Sequence, residues 1–171
     1  MSGLADHIVI IGAMGAGKTT VGTGVAQRLG LTFVDSDDQI RGLTGSSGAR
    51  IAETEGVAAL HQLELQVFWE AIASPHPTVI AAAASVIEDE EARAALLEVN
   101  CVWVDADDEM LRLRQASGTH RREVGEEEAS RLERREPLFS HCADLRVDTG
   151  LVTEHDAVSL AVEAIRRGDD E

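Results

Sequence analysis

The chain has 171 residues, which predicts one compact domain, and its 15 basic and 31 acidic residues give a formal net charge of −16. That charge argues against a nucleic-acid partner and against binding to an anionic membrane surface. No apolar run is long enough to cross a membrane and no secretory signal is visible at the N-terminus, so we expect a cytoplasmic protein.

Short apolar runs alternate with segments of helical periodicity along the whole chain. Strands are predicted at residues 7–12, 31–34, 78–82, 101–105 and 145–147. Helices are predicted at residues 19–29, 37–42, 57–73, 88–98, 107–115, 126–135 and 153–167, with a Gly/Ser-rich stretch at 45–48 and a polar loop at 117–125. This alternation predicts a single α/β domain over residues 1–171, with a parallel sheet covered by helices on both faces.

Residues 12–19 read GAMGAGKT and match the phosphate-binding pattern G-x-x-x-x-G-K-[ST] between the first strand and the first long helix. Glycines at these positions let backbone N–H groups turn toward a phosphate, and the helix N-terminus adds a partial positive charge. Lys18, the only lysine among fifteen basic residues, can reach the β- and γ-phosphates, and the Thr19 hydroxyl can bind Mg²⁺. The predicted nucleotide site comprises Gly12, Gly15, Ala16, Gly17, Lys18, Thr19 and Thr20.

Two carboxylates, Asp35 and Asp37, follow the second strand and are spaced i, i+2, so they face the same side of the sheet. They are expected at the edge where open α/β sheets bind their ligands. The alternative interpretation is a helix N-cap with an acidic neighbour in solvent.

Two further elements complete the pattern, REPLF at residues 135–139 and ADLRVDT at residues 143–149. Together with the phosphate loop and Asp35-Ser36-Asp37, they make the chain similar to the shikimate kinase family from residue 7 to about residue 167. The resemblance implies a three-layer P-loop kinase fold with a five-stranded parallel sheet in the order 2-3-1-4-5. It also implies ATP and Mg²⁺ as cofactors and a small hydroxylated acceptor as substrate, and we expect a monomer.

The resemblance also implies roles for individual residues. Asp35 would help to hold Mg²⁺ together with Thr19, usually through water. Asp37 would hydrogen-bond the acceptor hydroxyls and take the proton from the attacking one, and Arg135 would bind the acceptor carboxylate. An arginine fork suits such a carboxylate because it offers two parallel N–H donors.

Two more arginines are implied on the nucleotide side. Arg114 would stack on the adenine ring, and Arg121, with Arg122 as the adjacent alternative, would close over the transferred phosphate from a lid at residues 117–125. The predicted catalytic residues are therefore Lys18, Asp37 and Arg121.

The chain departs from the family pattern in three places, all on the acceptor and lid side. His61 stands where the family has a second carboxylate-binding arginine, and an imidazole cannot form the bidentate fork. Residues 81–85 read AAAAS where the family has Gly-Gly-Gly, so we expect methyl groups in the pocket and backbone strain of about 1 kcal/mol or more at any position with positive φ. The lid reads RREV at residues 121–124 and is shorter than usual.

Three functions remain open at this point. The first is phosphorylation of shikimate, the second is phosphorylation of another small hydroxylated acceptor such as a sugar acid, cyclitol or nucleotide. The third is nucleotide binding with little transferase activity.

Overall fold

The structure is a computed structural model that describes residues 6–117 and 126–169. Its centre is a five-stranded parallel sheet in the order β2-β3-β1-β4-β5, as predicted. The strands are β1 (Ile8–Ile11), β2 (Thr32–Asp35), β3 (Thr78–Ala81), β4 (Asn100–Asp105) and β5 (Leu145–Asp148). Val9 of β1 lies opposite Ile80 of β3 and Cys101 of β4, which sets the register of the three central strands.

Eight α-helices lie between or after the strands within the described ranges. They are α1 (Lys18–Leu29), α2 (Ser36–Thr44), α3 (Gly48–Thr54), α4 (Val57–Ile72), α5 (Glu90–Leu96), α6 (Asp108–Ser117), α7 (Glu126–Cys142) and α8 (Glu154–Asp169), with a 3-10 helix at Ala84–Glu88. Helix α3 was not predicted, and α7 runs through Pro137 rather than ending at residue 135. None of these described helices is long and apolar enough to span a membrane.

The core has two layers because side chains of each strand alternate between the two faces of the sheet. Ile8 and Ile10 of β1 pack on the side of α1 and α8. Val9 and Ile11 pack on the opposite side, with Trp103 of β4 and aromatic residues of α4 and α7. A smaller apolar cluster joins α2, α3 and α4 at one end of the sheet: Ile40, Ile51, Leu60 and Val67. This arrangement confirms the predicted three-layer architecture.

Parallel strands bring their carboxyl ends to one edge of the sheet, and this edge collects the candidate site residues. The phosphate loop follows β1, Asp35 ends β2, and the alanine-rich turn follows β3. Thr149 follows β5, and its N–H donates to the carbonyl oxygen of Asp105 at the end of β4.

Candidate active site

The phosphate loop between β1 and α1 requires glycine at three positions. Gly12, Gly15 and Gly17 have φ values of +144°, +82° and +106°, which residues with a side chain rarely adopt. At Gly12 a Cβ atom would also lie 2.1 Å from the carbonyl oxygen of Val104 on β4. The loop therefore combines an unusual backbone with close packing on the sheet, and it leads directly into the N-terminus of α1.

Lys18, the first residue of α1, folds back over this loop. Its Nζ donates to the carbonyl oxygens of Gly12 and Ala13, both at 2.9 Å. Burial of the ammonium group lowers the pKa of Lys18 to about 8, although Asp37, Asp35 and Glu64 act in the opposite direction. The nearby carboxylates do not outweigh the loss of water, so the ammonium would gain from a phosphate placed beside it.

Asp35 serves as a helix cap and also faces the phosphate loop. Its Oδ1 accepts a hydrogen bond of 2.9 Å from the backbone N–H of Asp37, which caps α2, and its Oδ2 accepts one of 2.7 Å from the Thr19 hydroxyl. The sequence left a helix cap and a ligand site open as alternatives. Asp35 caps α2 and also lines the cleft, and its role toward a ligand stays a prediction.

The oxygens of Thr19 and Asp35 suit Mg²⁺, which prefers hard oxygen ligands and keeps several waters. Next to them, the buried hydroxyl of Ser36 lines the same cleft and has no hydrogen-bond partner within the described structure. The Ser36 hydroxyl could form a hydrogen bond with a water molecule bound to such an ion. Residues 6–117 and 126–169 contain no group of three His, Cys, Asp or Glu side chains that could hold a metal by themselves.

Helix α6 holds the phosphate loop from the other side. Arg114 Nη1 donates to the Thr149 hydroxyl at 2.9 Å and to two carbonyl oxygens of the loop at 3.2 Å each. Thr149 in turn donates to the carbonyl of Ala16 at 2.7 Å, and Gln115 Nε2 donates to that of Met14 at 2.8 Å. The family resemblance carried Thr149 without a role, and the structure shows that it links Arg114 to the loop. Stacking of Arg114 on adenine stays a prediction.

A cleft of about 620 Å³ extends from the phosphate loop past Asp37 to the turn after β3 and to the inner faces of α4 and α7. It brings together most of the predicted site residues: Gly15, Gly17, Lys18, Thr19, Thr20, Asp35, Asp37, Arg114 and Arg135. Gly12 and Ala16 are buried within the loop beneath it. Residues 118–125 of the predicted lid, with Arg121 and Arg122, lie outside the described residues.

Arg135 is buried, although it belongs to a helix whose other arginines carry mostly exposed or half-buried side chains. Its Nε donates to Oε1 of Glu88, at the end of the 3-10 helix, over 2.8 Å. The charged pattern of residues 131–135 is by itself typical of a surface helix, and nothing local in it indicates Glu88 as a partner, because Arg135 and Glu88 are 47 positions apart.

The backbone strain expected in the alanine-rich turn is absent, which corrects that prediction. Ala83 has φ −62° and ψ 146°, an ordinary extended conformation. Positive φ values in the described ranges occur only at glycines. The turn therefore accepts a Cβ at each position without strain, and the methyl groups of Ala83 and Ala84 line the cleft.

Three polar residues of the acceptor end were not predicted as site residues. Ser85 donates a short hydrogen bond to the carboxylate of Glu64, one turn after His61 on α4. Arg131, one turn before Arg135 on α7, lines the cleft as well. Glu64 and Arg131 could have been found from their i, i+3 and i, i+4 spacing to His61 and Arg135.

A glycine-rich loop with its lysine at the carboxyl edge of a parallel sheet, facing an aspartate and an arginine across one cleft, defines a P-loop phosphotransferase of small molecules. Comparison with known proteins narrows this class. The shikimate kinase family model matches residues 14–166. The chain is 31% identical to a shikimate kinase of Symbiobacterium thermophilum over 94% of this chain and 96% of the relative, and 33% identical to one of Thermobifida fusca over 92% and 93%.

The structural comparison agrees. A shikimate kinase from Acinetobacter baumannii, solved in complex with shikimate, superposes with a TM-score of 0.84 at 27% identity, covering 96% of this chain and 95% of the other. The chain belongs to the shikimate kinase family and is an ATP-dependent phosphotransferase with an alcohol acceptor.

Proposed function

We propose that this protein transfers the γ-phosphoryl group of ATP to a hydroxyl of shikimate, with Mg²⁺ at Thr19 and Asp35. The observation that carries the proposal is the continuous cleft that Lys18, Asp37 and Arg135 all line. The named relatives support shikimate as the acceptor. A monomeric state and a cytoplasmic location remain predictions, and size-exclusion chromatography tests the first.

On the nucleotide side, catalysis is mostly positioning and charge neutralisation. Backbone N–H groups of the loop surround the phosphates, and Lys18 exchanges its carbonyl partners for phosphate oxygens while staying at the loop. Mg²⁺, when bound, neutralises charge that builds up on the phosphate oxygens. Arg114 stays tied to Thr149 and the loop, so it borders the nucleotide on a fixed helix.

On the acceptor side, two residues define the orientation of the substrate. Arg135 binds the carboxylate and thereby directs the opposite face of the ring toward the phosphate loop. Asp37 lines the same cleft as Lys18, and it accepts the proton of the attacking hydroxyl. A proton acceptor near the loop and a carboxylate clamp farther along the cleft suit a molecule with a hydroxyl at one end and an acid at the other.

A second candidate is phosphorylation of a different small hydroxylated acceptor. It is favoured by His61 in place of an arginine and by the methyl groups of Ala83 and Ala84 in the cleft. Both features change the part of the cleft that an acceptor ring would occupy, whereas the phosphate loop is unaltered.

One coupled assay separates the candidates. ATP and Mg²⁺ are supplied with shikimate, a sugar acid, a cyclitol or a nucleoside monophosphate, and ADP release is followed. Turnover with shikimate supports the proposal, turnover only with another acceptor supports the second candidate, and ATP binding without turnover on any of them indicates a nucleotide-binding protein with little transferase activity.

The proton acceptor is tested by Asp37→Asn. We expect kcat with shikimate to fall about 100-fold or more, because the amide cannot take the proton, while the KM for ATP stays unchanged. Asp38→Asn is the matched control, since Asp38 is the next residue and its side chain is 72% exposed. Equal kcat values in the two variants would contradict the role of Asp37.

A further inference from the structure

Glu88 forms an ion pair with the buried guanidinium of Arg135. The side chain of Arg135 is only 6% exposed, and its Nε lies 2.8 Å from Oε1 of Glu88, whose side chain is 39% exposed. Glu88 ends the 3-10 helix that follows the alanine-rich turn. The pair therefore connects α7 to the segment that forms the floor of the acceptor end.

The two partners of this ion pair differ in their position relative to the cleft. Arg135 lines the cleft and Glu88 does not. Burial is the main cause of the lowered pKa of Lys18, and the positive charge of Arg135 adds to it, so the guanidinium acts on the interior of the site.

Glu88 binds the Nε atom of Arg135, which leaves the two terminal nitrogens of the guanidinium to bind a substrate. Nε lies on the stem side of the planar guanidinium, and a bond there fixes the plane of the group. Nη1 and Nη2, at the far end, form the edge that binds a carboxylate with two parallel hydrogen bonds. We propose that Glu88 is a positioning residue that orients Arg135 so that its terminal nitrogens face the acceptor. This inference rests on the proposed carboxylate-binding role of Arg135.

The test compares Glu88→Ala with Glu88→Gln. In Glu88→Ala the guanidinium loses its anchor, and we expect the KM for shikimate to rise about tenfold with the KM for ATP unchanged. Glu88→Gln keeps an oxygen that accepts from Nε, so it should recover most of the loss and should fold even if the alanine variant does not. Glu98→Ala, at an exposed acidic position after α5, is the control for a surface charge change.

Calorimetric binding of shikimate, measured on wild type and all variants, separates this inference from the proposed function. Shikimate binding without turnover by the wild type overturns the proposed function alone, and Glu88→Ala must then still weaken binding. No shikimate binding by the wild type overturns both. An unchanged or tighter affinity in Glu88→Ala overturns the positioning role, and so does a loss in Glu88→Gln as large as that in Glu88→Ala.

A separate observation concerns Arg131. It precedes Arg135 by four residues on α7, so both side chains lie on the same helix face, and both line the cleft. We infer that Arg131 supplies a second positive charge to the acceptor carboxylate, on α7, where His61 on α4 provides no permanent one.

Arg131→Met and Arg134→Met form a matched pair, because Arg134 is an exposed arginine of the same helix. We expect Arg131→Met to raise the KM for shikimate about fivefold or more and Arg134→Met to leave it unchanged. Adding His61→Arg to Arg131→Met should restore much of the affinity, since it returns a guanidinium to the same end of the cleft. Equal KM values for the two methionine variants, or no rescue by His61→Arg, would overturn this inference.

Discussion

The two halves of the cleft are built in different ways. The nucleotide half is formed mainly by contiguous residues 12–19, whose backbone conformation requires glycine at three places. The acceptor half is assembled from side chains of the β3 turn, α4 and α7, and its key contact joins Glu88 to Arg135. A phosphate is bound largely by backbone groups and so tolerates little change in the loop, whereas an acceptor is recognised by side chains that can be exchanged between elements.

Removing Lys18 should have the largest effect, because it acts where the two halves meet. Lys18→Met is expected to lower kcat/KM about 1,000-fold, because Lys18 is the only basic residue of loop residues 12–19 that can stabilise charge on the transferred phosphoryl group. Turnover near the wild-type level would show that the two halves do not meet at this residue.

The same variant should not lose stability. The native state releases the Lys18 proton at about pH 8, whereas the unfolded chain does so near 10.5. Burying the ammonium therefore costs stability below pH 8, and this cost shrinks as the pH rises from 8 toward 10.5. Thermal unfolding at pH 7 without nucleotide should give a higher Tm for Lys18→Met than for wild type, and a lower Tm would contradict the buried charge.

Changing Arg135 should affect only the acceptor half. Arg135→Met is expected to raise the KM for shikimate about 30-fold, because the main carboxylate fork is lost, and to leave the KM for ATP unchanged. Steady-state kinetics with each substrate varied in turn measures both values. A matching rise in the KM for ATP would mean that the nucleotide half and the acceptor half do not bind their substrates independently.

A change of pH should affect the nucleotide half instead. Bound phosphates favour the charged form of Lys18, so ATP affinity should fall as pH rises above about 8, by about tenfold from pH 7 to pH 9. Calorimetry at pH 8 in buffers of different ionisation enthalpy should show proton uptake on binding. Lys18→Met should abolish this uptake, and uptake that persists in the variant would assign it to another group.

Replacing His61 on α4 by arginine is expected to change the KM for shikimate least among these variants, and it tests how the acceptor half binds a carboxylate. His61→Arg should lower the KM for shikimate about threefold if Arg131 already supplies part of the missing charge. If the wild type already binds shikimate tightly and His61→Arg binds it equally well, position 61 does not contribute to acceptor binding.

The sequence allowed most of the fold to be predicted because its signals are local. Alternating apolar runs and glycine positions predicted the five strands, whereas their order in the sheet was predicted from the family resemblance. Helix α3 was missed because its first residues belong to a Gly/Ser-rich stretch, yet Ile51 is buried against Ile40 and Leu60 and stabilises the helix. Helix α7 continues past Pro137 because Phe139 and Cys142 pack into the core, which compensates for the missing backbone hydrogen bond.

The nucleotide site could be read from one motif, whereas the acceptor site could not. Arg135 was predicted as a substrate ligand from the family resemblance, but its partner Glu88 lies on another element. Ser85 and Glu64, which are hydrogen-bonded to each other, also lie on different elements. Such pairs depend on how the elements pack, which no local spacing encodes. The strain expected in the alanine-rich turn was wrong for the related reason that a residue type does not reveal the φ angle of its position.

The ordinary backbone of that turn has an evolutionary consequence. Because Ala83 adopts an angle that every amino acid tolerates, glycine and alanine can replace one another there without refolding the segment. The volume available to the acceptor can then change by one methyl group at a time, while each intermediate sequence keeps its phosphate loop. A lineage of such enzymes could move from one alcohol to another by small, individually viable steps.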